Sequence, residues 1–512
     1  MISVRYDGKS LVSAGRDISV PFVLSISLEG VIRDYCISRL FRVLPGKRLV
    51  ALAQPSADNA DRLPEEGIPS NGISEQKIIL KIFLGRTAEK YSAKELEGIQ
   101  SIERLGIKKP EFLGRGFLGD GSGRVLAFQY LDECENLEDV WFKSLDRKYK
   151  LYLLEKCMEI FARMHDAGVR QKDIHLNNFV IQDNSVYAID GGGMDLHKEG
   201  NGLSRTSSLE NLARFFAQFK PSNDWVIEKA VACYASERKW PDIHSVTEEL
   251  YKTTLDQRQA RKKHYLLKTL RECSRFVCRK NIREYMVCER KFHTPDLMKI
   301  LSDPDEVIIK ARKEGRILKD GNSATIVMVE IGEQKLVLKR YNSKSLLRML
   351  RQSLRISRAR NSWINAHLLE FIGVTSVRPV AMMEKRWGPV VTRAYFVSEY
   401  INGINLDEKV SCIYGENPAN NPLNDLVIEK VVSVLKGLKN SMIVHGDLKA
   451  TNFRISNADI VLLDLDSMKD YQDEKIFSKA YRKDIDRFMQ NWIVQPELQS
   501  RFLKLTESLI RN

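Results

Sequence analysis

Two short segments of this chain carry the same acidic and amide residues at the same intervals. The first runs Gln171-Lys172-Asp173-Ile174-His175-Leu176-Asn177-Asn178 and is followed by Val186-Tyr187-Ala188-Ile189-Asp190-Gly191. The second runs His445-Gly446-Asp447-Leu448-Lys449-Ala450-Thr451-Asn452 and is followed by Val461-Leu462-Leu463-Asp464-Leu465. In each, an Asp is followed by an Asn five residues on and by a second Asp seventeen residues on, and that second Asp ends an apolar, strand-like run. Such a set suits phosphoryl transfer, which needs positioning and charge neutralisation more than covalent help. Asp173 and Asp447 are expected to orient an acceptor hydroxyl and receive its proton. Asn178 with Asp190, and Asn452 with Asp464, offer hard oxygen atoms suited to Mg2+. A strand lysine upstream would grip the nucleotide phosphates, and Lys81 and Lys339 lie in the apolar runs Lys77–Phe83 and Lys335–Arg340. Either Asp–Asn pair alone reads as a turn Asp and a capping Asn. Repetition of the whole set, each time with a strand lysine upstream, is what favours the chemical reading.

The elements around these residues repeat as well. Residues 20–55 read as short strands around a turn at Val43–Val50, and residues 54–75, rich in Pro, Gly, Asn, Ser and Asp, read as a loop. A strand at 77–83, a helix near 88–105 and a strand pair ending at Val125–Leu131 follow, and from about 136 the pattern is helical except over 171–195. The second half runs in the same order, with a strand–turn–strand over Ile317–Val327, the Lys339 strand, a helix, a strand pair ending at Phe396–Ile401, and helices. Asn211–Phe216 and Asp484–Met489 are helix-patterned segments about twenty residues past Asp190 and Asp464. A strand-rich part followed by a helix-rich part, twice over, predicts duplication of one α+β architecture. The expected boundaries are an N-terminal extension over 1–29, a first domain over 30–255, a basic helical connector over 256–304 and a second domain over 305–512.

A chain of 512 residues exceeds one compact core, and two domains are the natural division. No run of about 18 apolar residues suggests a membrane-spanning helix, and the N-terminus lacks a secretory pattern, so a cytoplasmic location is expected. The eight cysteines show no CxxC spacing and read as reduced thiols rather than a zinc site. The net charge of +14 implies an anionic partner without choosing one.

At these residues the sequence resembles the bacterial lipopolysaccharide core kinases, which phosphorylate Kdo or heptose and share the protein-kinase fold. In the second half the resembling segments are VLKRYN around Lys339, SRARNSW at 357–363, GVTSVRPVAMME at 373–384, HGDLKATNF and LLDLDSM; in the first they are RVLPGKRLV, IILKIFLG, QKDIHLNNF and YAIDGGG. The resemblance implies two tandem protein-kinase-like domains, each a small antiparallel β-rich N-lobe plus a helical C-lobe. It implies ATP and Mg2+ as cofactors and a sugar hydroxyl of the lipopolysaccharide core oligosaccharide on lipid A as acceptor, at the inner face of the bacterial inner membrane. Carried over by position, Lys81 and Lys339 contact phosphate, Asp173 and Asp447 act as bases, and Asn178, Asp190, Asn452 and Asp464 hold the metal. Gln129 to Leu131 and Glu399 to Ile401 become adenine-facing hinges. Glu97, with Glu95 as the alternative, is the expected partner of Lys81. The second half offers Lys339 no such helix carboxylate, Glu370 falling too late, and Gln171 stands where the family shows His. Neither half has a multi-glycine phosphate loop, so an inactive domain, a tandem pseudokinase or nucleotide-binding scaffold, and a small-molecule or protein kinase stay open as alternatives.

Residues 339–360 hold eight Lys/Arg and no Asp or Glu. Arg348, Arg351, Arg355 and Arg358 share a helical face there. This suits docking on an anionic membrane surface or phosphorylated core, against the plainer reading of a solvated basic helix. No aromatic-interleaved platform suggests a nucleic-acid partner.

Overall fold

The computed structural model describes residues 4–16, 18–56, 76–196, 202–342, 356–408, 422–457 and 459–510. The chain divides into two compact units, Met1–Phe219 with Trp225–Arg258, and Lys220–Asp224 with Gln259–Asn512.

Unit 1 begins with helix α1 (Gly8–Ala14) and strands β1 (Phe22–Leu28), β2 (Val31–Leu44), β3 (Arg48–Pro55) and β4 (Ile78–Leu84). Helix α2 (Ala88–Arg104) intervenes before β5 (Phe112–Leu118) and β6 (Gly123–Gln129). The six strands close into an antiparallel barrel in the order β1-β2-β3-β4-β6-β5. Small side chains suit the interior of a six-stranded barrel, where Ala51, Ala53 and Ala127 are buried beside Ile26, Leu80 and Ile82. Strand alternation then turns Ile79, Lys81 and Phe83 outward, toward the helical part of the unit. That part comprises β7 (Glu135–Asn136), α3 (Leu137–Lys143), α4 (Arg147–Asp166), β8 (Val169–Gln171), β9 (Phe179–Gln182), β10 (Ser185–Ala188), β11 (Met194–Leu196), α5 (Arg205–Phe216), α6 (Trp225–Glu237) and the first part, to Arg258, of α7 (Ile243–Lys268). Its core is aromatic, with Phe161, Phe179, Phe215 and Phe219 packed edge to face.

Unit 2 is built on a seven-stranded antiparallel sheet, β12-β13-β17-β18-β16-β15-β14. In chain order these are β12 (Phe276–Lys280), β13 (Glu284–Glu289), β14 (Ile317–Asp320), β15 (Ala324–Ile331), β16 (Gln334–Tyr341), β17 (Pro379–Trp387) and β18 (Val390–Glu399). Helices α8 (Pro295–Ser302) and α9 (Pro304–Lys313) cover one face through Leu297, Leu301, Ile308 and Ala311. Helix α10 (Arg358–Ile372) packs on the other face through Ala359, Trp363 and Ala366. Beyond the sheet come β19 (Ile404–Asn405), α11 (Pro422–Asn440), β20 (Ile443–Val444), β21 (Phe453–Ser456), β22 (Asp459–Leu462), β23 (Lys469–Asp470), α12 (Glu474–Gln490) and α13 (Pro496–Ile510).

Two expected boundaries are corrected. The stretch 1–29 is not an appendage, since β1 pairs with β2 and, through Ile26 opposite Leu118, with β5, which closes the barrel. The stretch 256–304 is not a helical connector beyond Lys268. It supplies β12 and β13, and β13 pairs with β17 in the sheet of unit 2. The apolar run Tyr285-Met286-Val287-Cys288 is buried strand, and the basic residues around it had masked that pattern. The expected loop over 54–75 and the basic residues Arg348, Arg351 and Arg355 lie mostly or wholly outside the described residues.

Candidate functional site

In unit 1, Lys81 stands in the middle of β4, opposite Val50 of β3 and Leu126 of β6. Its ammonium pairs with Glu95 of α2 and donates to the Ile189 carbonyl at 2.7 Å. Glu95 is 0% exposed, and a carboxylate so buried needs full compensation. It receives a guanidinium N–H of Arg48 at 3.1 Å and the Gly191 N–H at 3.2 Å besides the lysine. Glu97, the expected partner, is exposed. Ser92, Glu95, Ile99 and Ile102 share the buried face of α2, and two residues on, at about 100° each, the helix has turned Glu97 to solvent.

Asp190 follows directly on the carbonyl that Lys81 holds. Its Oδ1 accepts from the Gly192 N–H at 3.1 Å and lies 3.9 Å from Arg48. Burial alone would raise this carboxyl, but the Lys81 ammonium and the Arg48 guanidinium hold it below the ordinary Asp range. The strand end is pressed onto α2 without side chains between them: a Cβ on Gly98 would lie 2.0 Å from the Gly191 carbonyl oxygen. Arg48 was not foreseen. The strand register places it: Arg48 opposite Phe83 and Val50 opposite Lys81 set it diagonal to Lys81 on the same face, a pairing that nothing local to Arg48 announces.

The loop bearing Asp173 is joined to this strand through Asn178. The Asn178 amide donates to the Asp173 carbonyl at 2.8 Å, and its own carbonyl accepts from the Ile189 N–H at 3.0 Å. The Asp173 carboxylate is solvent-facing and lies 3.2 Å from His175. Gln171, the counterpart of His445 in the repeated segment, is buried and donates to the Asp190 carbonyl at 3.4 Å, a polar tie of its own. The Gln171 carbonyl in turn accepts from Asn211 at 2.8 Å, which gives the helix-patterned segment after Asp190 a role in fixing the loop.

Unit 2 repeats these ties. Asn452 donates to the Asp447 carbonyl at 2.8 Å and accepts from the Leu463 N–H at 2.8 Å. His445 bonds the Leu463 carbonyl at 2.9 Å, and Asp484 of α12 receives the Gly446 N–H at 2.8 Å. Asp447 is flanked by Lys449 at 2.9 Å and Arg487 at 3.8 Å. The cation arrangement differs. Lys339 pairs directly with Asp464 at 2.5 Å and lies 3.9 Å from Asp466. Burial would lower the Lys339 ammonium's pKa, but Tyr341, Asp464 and Asp466 raise it, and Lys339 in turn holds Asp464 below its ordinary value against burial. Asp464 adopts the left-handed conformation, φ 55°, that turns the chain here. Arg358 binds Asp466 at 2.5 Å, so it is engaged with this cluster rather than part of a solvated basic face. Glu370 pairs with Arg275 and His367, as its late position on α10 implies.

Of the expected hinge residues, Gln129 is exposed at the end of β6 with its N–H on the Glu111 carbonyl, and Leu131 is buried. Glu399 ends β18, 3.6 Å from Arg378. Ile401, with Tyr400, Gly403 and Ile455, lines a pocket of about 550 Å³ that does not include Lys339 or Asp464. Among the described residues, Glu289, His367 and Glu370 also group closely enough to hold a metal, but Arg275 already sits on both carboxylates, at 2.5 and 2.8 Å.

No protein-family model matches the chain, and no curated protein matches it in sequence. Among solved structures, WaaP in complex with acyl carrier protein aligns at 14% identity and a TM-score of 0.31, over 44% of this chain and 88% of that one. A mutant kinase domain of Mycobacterium tuberculosis PknI aligns at 13% identity and a TM-score of 0.28, over 46% of this chain and 99% of that one. At such low overlap the functional reading rests on the side-chain geometry.

Proposed function

We propose that the chain is an ATP- and magnesium-dependent phosphotransferase with a protein-kinase-like site in each unit, and that its acceptor is a heptose or Kdo hydroxyl of the lipopolysaccharide inner core. The observation that carries the reaction class is the recurrence of one bond set in both units: Asn amide to Asp carbonyl, strand N–H to Asn carbonyl, and a strand lysine drawn to the end of the strand where the second Asp stands. The acceptor class is supported by the resemblance of the motif segments.

The donor set fits a hard divalent ion and a polyphosphate. Asn178 with Asp190, and Asn452 with Asp464, offer oxygen atoms only, and in unit 1 the buried Arg48 Nε has no hydrogen-bond partner among the described residues. Magnesium, when bound with ATP, would neutralise charge on the transferring phosphoryl group. Lys81 and Arg48 together set a doubly cationic wall that orients phosphate oxygens, which offsets the absence of a glycine-rich loop. Glu95 holds both cations in place. Asp173 or Asp447 accepts the proton of the acceptor hydroxyl at a carboxylate oxygen, and Lys449 lies 2.9 Å from the Asp447 carboxylate.

A second reading, in which unit 2 is non-catalytic, is favoured by the direct Lys339–Asp464 pair, which occupies a candidate metal ligand with an ammonium. Release of ADP from ATP and magnesium in the presence of dephosphorylated core oligosaccharide tests both. Loss of turnover in Asp173→Ala alone assigns catalysis to unit 1, and loss in Asp447→Ala alone assigns it to unit 2. If neither substitution lowers turnover, the catalytic assignment is wrong.

A further inference from the structure

The turns after β12 and β17 come together at one end of the unit 2 sheet, because β13 and β17 are neighbours with Glu284 opposite Lys385. Backbone bonds lock the two turns into one tip. The Arg386 N–H donates to the Arg283 carbonyl at 2.7 Å, and the Gly388 N–H donates to the Ile282 carbonyl at 3.1 Å. Within the first turn, Asn281 Oδ1 accepts from the N–H groups of Arg283 and Glu284 at 2.8 and 2.9 Å. This rigid tip presents Trp387, 81% exposed, beside Ile282, 75% exposed. A tryptophan and an isoleucine held side by side in water are not explained by packing, since neither completes a core.

The surroundings of the tip are cationic. Lys280 and Arg283 are exposed beside Ile282, and Lys385 stands in the neighbouring strand. Glu284 is matched by Arg279 at 2.8 Å, and Asp303 lies 3.8 Å from Lys385. An apolar point carrying one amphipathic ring, inside a collar of Lys and Arg, is the chemistry of a membrane-interface anchor: the ring enters the headgroup level while the cations meet anionic lipid. Stacking on nucleic acid would need a platform of several exposed rings, and the other aromatic group here, Tyr285, is buried.

We propose that the tip formed by Ile282 and Trp387 docks unit 2 on an anionic phospholipid surface. Vesicle binding by these turns is independent of whether either unit transfers phosphate. The test is co-sedimentation of the full chain with vesicles of phosphatidylglycerol and phosphatidylcholine, against phosphatidylcholine alone. Binding is expected with the anionic vesicles, weakening as salt is added. The double variant Ile282→Ser with Trp387→Ser should partition at least about tenfold less, with an unchanged melting temperature, and Trp387→Phe should retain most binding. Equal binding by the double variant, no preference for anionic vesicles, or binding of a single-stranded oligonucleotide in place of vesicles through the same residues would overturn the assignment.

Discussion

Replacing Glu95 by Gln is the most informative perturbation of the molecule. The substitution keeps the shape of the side chain but leaves two largely buried cations, Lys81 and Arg48, without the carboxylate that both contact. Removing one partner of a buried ion pair costs about 3–5 kcal/mol. Asp190, 3.9 Å from Arg48, remains to compensate in part, so the loss should fall near the lower end, about 3 kcal/mol. In a unit of this size each kcal/mol lowers the melting temperature by about 2–4 °C, which gives a drop of about 6–12 °C in the transition of unit 1. The control is Glu97→Gln, an exposed change on the same helix expected to stay within about 0.5 kcal/mol of the parent. Differential scanning calorimetry of the full chain reads the shift. Equal shifts for the two variants, or a larger shift for Glu97→Gln, would refute the placement of Glu95 as the anchor of the cationic pair.

Two further outcomes follow from the packing. Gly98→Ala reverses the usual rule that alanine strengthens a helix by about 1 kcal/mol, because its methyl would meet the Gly191 carbonyl; a net loss of about 1–3 kcal/mol is expected in urea unfolding, with Gly106→Ala, which would meet nothing within 4 Å but has φ 62°, as a strain-only comparison. His165 is fully buried between Tyr234 at 2.8 Å and Asn211 at 3.1 Å, and burial pushes its pKa down to about 4. Below about pH 6.5 the unfolded chain binds a proton that the folded ring refuses, so stability contributed by this group is whole above that pH and falls toward pH 4 by up to about 3 kcal/mol. Melting temperatures across this range should decline less in His165→Gln than in the parent.

Local chemistry was the most legible part of the sequence. The Asp–Asn–Asp intervals translate into one local bond set because the loop and its returning strand are consecutive, and the bonds that join them, such as Asn178 to Asp173, span only a few residues. The strand lysines were legible from their apolar neighbours. Helix phase was not: Glu95 and Glu97 differ by two residues, and only packing of α2 on the strand end decides between them. Long-range closure was equally hidden, since nothing local to Ile26 announces its pairing with Leu118. The role of Arg358 is hidden in the sequence because its partner, Asp466, lies far along the chain. Asp466, two residues past Asp464, falls outside the repeated interval and so carries no local signal.

The closed barrel of unit 1 bears on association as well as on the site. A cylinder has no rim of unsatisfied amide and carbonyl groups, so another polypeptide cannot extend it by zipping on alongside. The unit 2 sheet ends in β12 and β14 and does have two such rims. One is only four residues long with a slipped register at Ile317/Lys319, and the other carries exposed Arg279 and Lys280, which discourages self-templated fibre growth.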